Sequence, residues 1–223
     1  MIGHDKFRGI GMTSERTRRR LMEQLSQEGI DDPYVLAALS EIPRHHFLEE
    51  GIAHRAYENT VLPIGEGQTI SQPLMVAQMT QILWRQGLHG NILEIGTGSG
   101  FQSAVLSRLW DKVYSIERIR VLQTRARQAL LELGLNNIEF RGGDGYLGWS
   151  ENAPFEAIIV TAAAPVIPPK LVQQLQDGGV MLLPIGLPEQ LQMLTLVRKN
   201  ADEIEVKEIE PVRFVPMLHG VST

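Results

Sequence analysis

Three glycines and two acids are spaced in this chain as a nucleoside-binding loop requires. Leu93–Gly100 reads LEIGTGSG, an apolar run that breaks into Gly96, Gly98 and Gly100 with Thr97 and Ser99 between them. Glycines there let the backbone turn sharply against a ligand, and a helix from about Phe101 offers its free N–H groups. Glu117 ends the next apolar run, VYSIE, about 20 residues further on, where a carboxylate can accept both hydroxyls of a ribose. Asp144, in Gly143-Asp144-Gly145-Tyr146, can accept from an adenine amino group. Each feature alone has a plain explanation: a ligand-free turn, a solvated strand end, a turn residue between glycines. In series they favour a ligand.

The details select among nucleosides. Phe101 follows Gly100, so the third glycine falls one place too early for the dinucleotide pattern GxGxxG. GTGSGF also lacks the lysine of a phosphate-binding P-loop. Glu94, inside the strand, would repel a pyrophosphate but suits a cationic amino-acid moiety. S-adenosylmethionine has a sulfonium and an ammonium but no phosphate, and it fits better than NAD or ATP. The candidate cofactor residues are therefore Glu94, Gly96, Thr97, Gly98, Ser99, Gly100, Glu117, Asp144 and Gly145.

The elements that must position these residues alternate strand and helix from Asn91 onward. Apolar runs at 91–95, 113–117, 138–141, 157–161 and 180–184 read as strands. Between the second and third, Ile119, Leu122, Ala126, Ala129, Leu130 and Leu133 make a helix-period stripe. Such βα units build a doubly wound, mostly parallel sheet with helices on both faces. Runs at 192–197 and 203–209, joined by Asn200-Ala201-Asp202, read as a C-terminal antiparallel hairpin. Residues 1–63 read as a helical N-terminal part, with Ser14 as a cap, Leu21, Met22 and Leu25 inward, and Gly29 as a stop. One domain is expected over 1–223, the first 63 residues packing over the site and 64–223 forming the α/β core.

Composition mainly excludes. The 223 residues hold 26 Asp+Glu against 21 Lys+Arg, a net charge of −5, and no cysteine. That removes thiol nucleophiles, disulfide frameworks and cysteine-ligated zinc. The acidic balance weighs against a nucleic-acid coat, and Arg16, Arg18, Arg19 and Arg20 read as a solvated helix face. The longest uncharged stretch, Gly67–Trp84, is too polar to span a membrane, and nothing near Met1 resembles a secretory signal. A cytoplasmic location is the expectation. His45-His46 has no further ligand at metal spacing, so no metal is expected.

Several strings together identify a resemblance. LPIGEGQTISQP (62–73), LEIGTGSG (93–100), SIERI (115–119), GDGYLGW (143–149), APFEAIIVTAAAP (153–165) and VRFVP (212–216) are similar to those of the bacterial protein-L-isoaspartate O-methyltransferases, a class I S-adenosylmethionine-dependent family. LEIGTGSG alone would indicate only class I; QTISQP is specific to the family. The resemblance implies methyl transfer from S-adenosylmethionine to the α-carboxylate of an L-isoaspartyl residue in a damaged protein or peptide. The ester then collapses to a succinimide, and hydrolysis restores some aspartate. It also implies Ser71 as the active-site position, Thr69 and Ile70 beside it, and Phe214 and Val215 where the substrate groove closes. Plain strand packing explains Phe214 and Val215 equally well, and Arg213 reads as a surface charge.

On spacing alone, Ser71 is more readily an N-cap, worth about 1 kcal/mol, for a helix that begins near Pro73. The two uses are compatible, since a cap uses the hydroxyl as acceptor and a substrate carboxylate uses it as donor. Tyr146 and Trp149 read as packing residues. No (D/N)PP(Y/F) string stands at Thr161–Pro165, which argues against methylation of a base nitrogen. The competing readings are a class I methyltransferase for an RNA or small-molecule oxygen, a cofactor-sensing module, and a nicotinamide oxidoreductase.

Overall fold

A computed structural model describes residues 9–201 and 203–222. The first helices lie where the sequence places them. Ser14 precedes α1 (Glu15–Gln27), but its hydroxyl makes no cap bond and lies 3.2 Å from the Thr17 hydroxyl instead. Leu21 and Leu25 are buried, and Gly29 takes φ +99° where the chain leaves the helix. Helix α2 (Pro33–Glu41) has a true cap, since the Asp32 carboxylate accepts from the amides of Tyr34 and Val35. Of the arginines, Arg16, Arg19 and Arg20 are exposed, whereas Arg18 is half-buried and donates to the Ser40 carbonyl at 3.0 Å.

A small hairpin then departs from expectation. Strands β1 (Leu62–Gly65) and β2 (Gln68–Ile70) pair antiparallel around the tight turn at Glu66-Gly67, where the sequence reading has a helical part up to residue 63 and no strand before 91. Leu62, Ile64 and Ile70 are buried, so this short element is fastened by its apolar face. It delivers Thr69, Ile70 and Ser71 to the N-terminus of α3 (Pro73–Trp84).

The α/β region follows as β3 (Asn91–Ile95), α4 (Phe101–Leu106), β4 (Lys112–Glu117), α5 (Arg120–Glu132), β5 (Ile138–Gly142), β6 (Phe155–Val160), α6 (Pro169–Gln173), β7 (Leu175–Ile185), β8 (Gln192–Asn200) and β9 (Glu203–Val212). Among the described residues these strands form one seven-stranded sheet, in the order β5-β4-β3-β6-β7-β8-β9. Pairing is parallel from β5 to β7 and antiparallel for β8 and β9, as the hairpin reading requires. Asp202, which the sequence reading gave to the hairpin's connection, lies outside the described residues, as do residues 1–8 and 223.

Chain order runs from β3 outward to β5, then returns to β6 on the other side of β3. The connections therefore part at the carboxyl ends of β3 and β6, leaving a crevice there. Along β3, Ile92 faces α3 and α4 while Leu93 and Ile95 face the layer that contains α6 and Met217. The stripe of α5 packs as its period predicts: Leu122 and Leu130 are almost fully buried, each worth about 1.5–3 kcal/mol of burial. The helical first third joins the same core through Leu21, Leu25, Val35 and Leu39, packed with residues of α4 and α5.

Candidate active site

The glycine loop is held by backbone bonds from both sides. The amides of Gly96 and Thr97 donate to the Ile116 carbonyl at 2.9 and 3.3 Å, and Thr161 Oγ1 donates to the Gly96 carbonyl at 2.8 Å. Gly98, at φ +53°, donates its N–H to Glu117 Oε2 at 2.8 Å. The Ile119 amide donates to Glu117 Oε1 at 2.9 Å. Each carboxylate oxygen thus holds one amide and keeps a lone pair for a second donor, as two ribose hydroxyls require.

These groups wall an open cavity at the carboxyl ends of β3 and β4. It brings together Thr69, Ile70, Ser71, Gly96, Thr97, Gly98, Ser99, Glu117, Gly145 and Val215 from the expected residues. Sequence reasoning missed Met79, Gln102, Pro216, Met217 and Leu218, which share the walls. Met79 lies on the buried face of α3, and Pro216 ends the string VRFVP. No local signal marked Met217 or Leu218, because they arrive from the far end of the chain. The walls begin at Gln68, so the helical first third does not line this cavity. It braces it: the buried Arg44 donates Nε–H to the Ala56 carbonyl at 2.9 Å and lies 4.9 Å over the ring of Phe101, which does line it.

Four expected residues stand elsewhere. Gly100, at φ +89°, packs rather than binds; a Cβ there would sit 3.0 Å from Leu130 and 3.1 Å from Ala126, so its absence lets α5 close against the loop. Glu94 is fully buried behind the loop and not on the cavity wall. Its Oε2 accepts from the hydroxyls of Ser103 and Ser115, and Ser115 lies 2.6 Å from Thr97 Oγ1. Burial pushes its carboxyl up to about 8, against those hydrogen bonds and with help from the charge of Glu117. Near neutral pH it is mostly uncharged, so it is no counter-charge for a cation. A strand residue buried among hydroxyls is cheapest as a neutral acid.

Asp144 is not on the cavity wall and is held by bonds within the protein. Its Oδ1 accepts from the Tyr146 amide and its Oδ2 from the Gly220 amide, both at 2.9 Å, with His219 Nδ1 at 3.4 Å. Partial burial raises its carboxyl, but those donors outweigh burial and hold it below the usual range. The acid pins the C-terminal segment, and Tyr146 stacks on His219 with ring centroids 3.9 Å apart. Phe214, the fourth, lines a separate groove.

That groove opens beside the cavity and shares Thr69, Ser71, Thr161 and Val215 with it. Ser71 is not the cap of α3. Gln72 occupies that position without a side-chain bond, and Asn59 Oδ1 accepts from the Leu74 amide at 3.0 Å instead. The Ser71 hydroxyl therefore has no hydrogen-bond partner among the described residues and stands where the two spaces meet. Among those residues, no group of histidines and acids is placed to hold a metal ion, and no helix is long and apolar enough to cross a membrane.

Comparison with known proteins identifies the family. The family model for protein-L-isoaspartate(D-aspartate) O-methyltransferase matches residues 16–222. The chain belongs to that family. A protein-L-isoaspartate O-methyltransferase of Halorhodospira halophila is 53% identical over 212 residues, covering 95% of this chain and 96% of the relative. One from Idiomarina loihiensis is 54% identical over 202 residues, covering 91% and 94%. Among solved structures, a protein-L-isoaspartate O-methyltransferase aligns with TM-score 0.81 at 32% identity, over 89% of this chain and 65% of that longer one. A Plasmodium falciparum chain solved with S-adenosyl-L-homocysteine aligns with TM-score 0.79 at 24% identity, over 90% and 98%, and bears on the fold.

Proposed function

We propose that this chain methylates the α-carboxylate of L-isoaspartyl residues in damaged proteins and peptides, with S-adenosylmethionine as donor. The observation that carries the reading is the unpartnered Ser71 hydroxyl at the junction of the cavity walled by the glycine loop and Glu117 and an open groove. The family supplies the substrate class; the geometry supplies a place for both reactants.

The cavity suits the cofactor on its own features. Glu117 offers two half-used carboxylate oxygens, and Gly98 brings bare backbone to the wall beside it. A side chain at Gly145 would strike Ile95 at 2.4 Å, so glycine there lets the turn after β5 pack against β3 where both line the cavity. S-adenosylmethionine, when bound, supplies a methyl group on a sulfonium.

The residues present need do little else than position. A carboxylate is ionised at neutral pH, with a reference pKa of about 4, so no general base is needed. Ser71 donates its hydroxyl hydrogen to one carboxylate oxygen and leaves the other free to attack. Thr69 and the backbone around Ile70 hold the same group, and Phe214 and Val215 line the peptide's path. In-line placement of this kind supplies several kcal/mol, up to roughly 7–11 in favourable cases. The new bond joins methyl carbon to carboxylate oxygen; the electrons of the broken bond stay with sulfur, and no proton moves. Residues 1–223 act as one unit in this reading, working on cytoplasmic proteins.

Transfer of radiolabelled methyl groups to an isoaspartyl peptide, beside its aspartyl twin, tests the proposal. Base-labile label on the first alone is expected. Equal labelling of both, or of neither, would overturn it.

A further inference from the structure

Arg213 reads in sequence as a surface charge, but the fold gives it a specific address. It follows the last residue of β9 and lines the outer groove, between Val212 and Phe214, without reaching the inner cavity. Among the residues that line the groove it is the one that carries a charge; the others are apolar or neutral, including Val61, Gln72, Met75 and Leu191. Arg213 is exposed, and among the described residues no carboxylate or carbonyl engages its guanidinium. A free cation on the wall of a peptide-sized groove, with no acid opposite, favours an anionic ligand there.

The reacting carboxylate is not that ligand. It must lie at Ser71, at the neck of the two spaces, whereas Arg213 belongs to the outer one alone. A bidentate guanidinium would also occupy the lone pairs that must attack. We propose that Arg213 is a specificity residue: it receives an acidic side chain that flanks the isoaspartyl residue, so the enzyme favours damage in acidic surroundings. This rests on the isoaspartyl reading above and adds to it which isoaspartyl sites are preferred. An extended peptide advances about 3.3 Å per residue and alternates its faces, so one flanking position should dominate.

The experiment compares kcat/KM for isoaspartyl peptides in which a single glutamate is moved through the two positions on each side, with glutamine at the same place as reference. Exposed ion pairs are modest, so the wild-type protein should favour glutamate about three- to fivefold at one position, through KM. The preference should fall towards one in Arg213→Gln, survive in Arg213→Lys, and reverse in Arg213→Glu with lysine in the flanking place. It should also fade in high salt. A glutamate preference unmoved in Arg213→Gln, or no preference in the wild type, would overturn the proposal. So would an equal loss of kcat on every peptide in Arg213→Gln, which would put the guanidinium on the reacting group. If the wild type methylates no isoaspartyl peptide at all, the underlying reading fails, and this one with it.

Discussion

The inner cavity and the outer groove share a border but are built on opposite principles. The cavity is made of backbone: amides of Gly98 and Ile119 fix Glu117, and Ile116 fixes the turn. Its accuracy is inherited from strands β3 and β4, whose apolar residues are buried on both faces. The groove is made of side chains from separate segments, around 61, 69–75, 191 and 211–215, many of them exposed. A rigid inner site suits one invariant cofactor, and a looser outer one suits peptides that share only their damaged residue. Ser71 is the hinge of the contrast, with one neighbour of each kind.

The contrast is sharpest at Ser71 itself. Ser71→Ala should cut kcat on an isoaspartyl peptide by about 100-fold, as loss of one well-placed donor does elsewhere, with cofactor Kd changed less than about twofold. Calorimetry beside steady-state kinetics separates the two; an equal fall in both would erase the division between the regions. Glu117→Ala should do the reverse, raising the Kd for S-adenosylmethionine about 10- to 100-fold through lost charge-assisted bonds. An unchanged titration would remove the ribose assignment.

Two acids sharpen the comparison through pH. Glu94 has a folded pKa of about 8 against an ordinary 4.5, so the folded state holds the extra proton in between. Its contribution is complete below that ordinary value and is lost as pH rises through about 8, at up to ~1.4 kcal/mol per unit. Glu94→Gln should flatten this slope in denaturant unfolding between pH 5.5 and 8.5; a slope the variant leaves intact would show that Glu94 is not its source. Asp144 runs the other way. Its depressed pKa contributes stability at neutral pH that is lost as pH falls through the folded value. Asp144→Ala should cost no more than about 1 kcal/mol of stability and loosen the C-terminal segment, visible as faster amide exchange at Gly220. Unchanged exchange there would sever the pin.

What was legible in the sequence follows the same division. The glycine loop, Glu117 and the α5 stripe were readable because each depends on neighbours within one βα unit. Asp144 showed in the sequence only as a possible ligand group, because the Gly220 amide that it also accepts from lies 76 residues away. Glu94 was assigned a charge that only burial among Ser103 and Ser115 removes, and spacing carries no information about burial. The 62–70 hairpin escaped because its strands are four and three residues long and contain Pro63. Ser71 looked like a cap until Asn59, from a preceding loop, was seen to take that work.

The C-terminal wall has one consequence in the order of synthesis. Val215 and Met217 bond to Ala163, Ser222 bonds to Arg118, and Leu218 lines the cavity with them. On the ribosome the glycine loop emerges long before this wall. A nascent chain therefore presents this cavity as an open trough until residues 215–218 have been made.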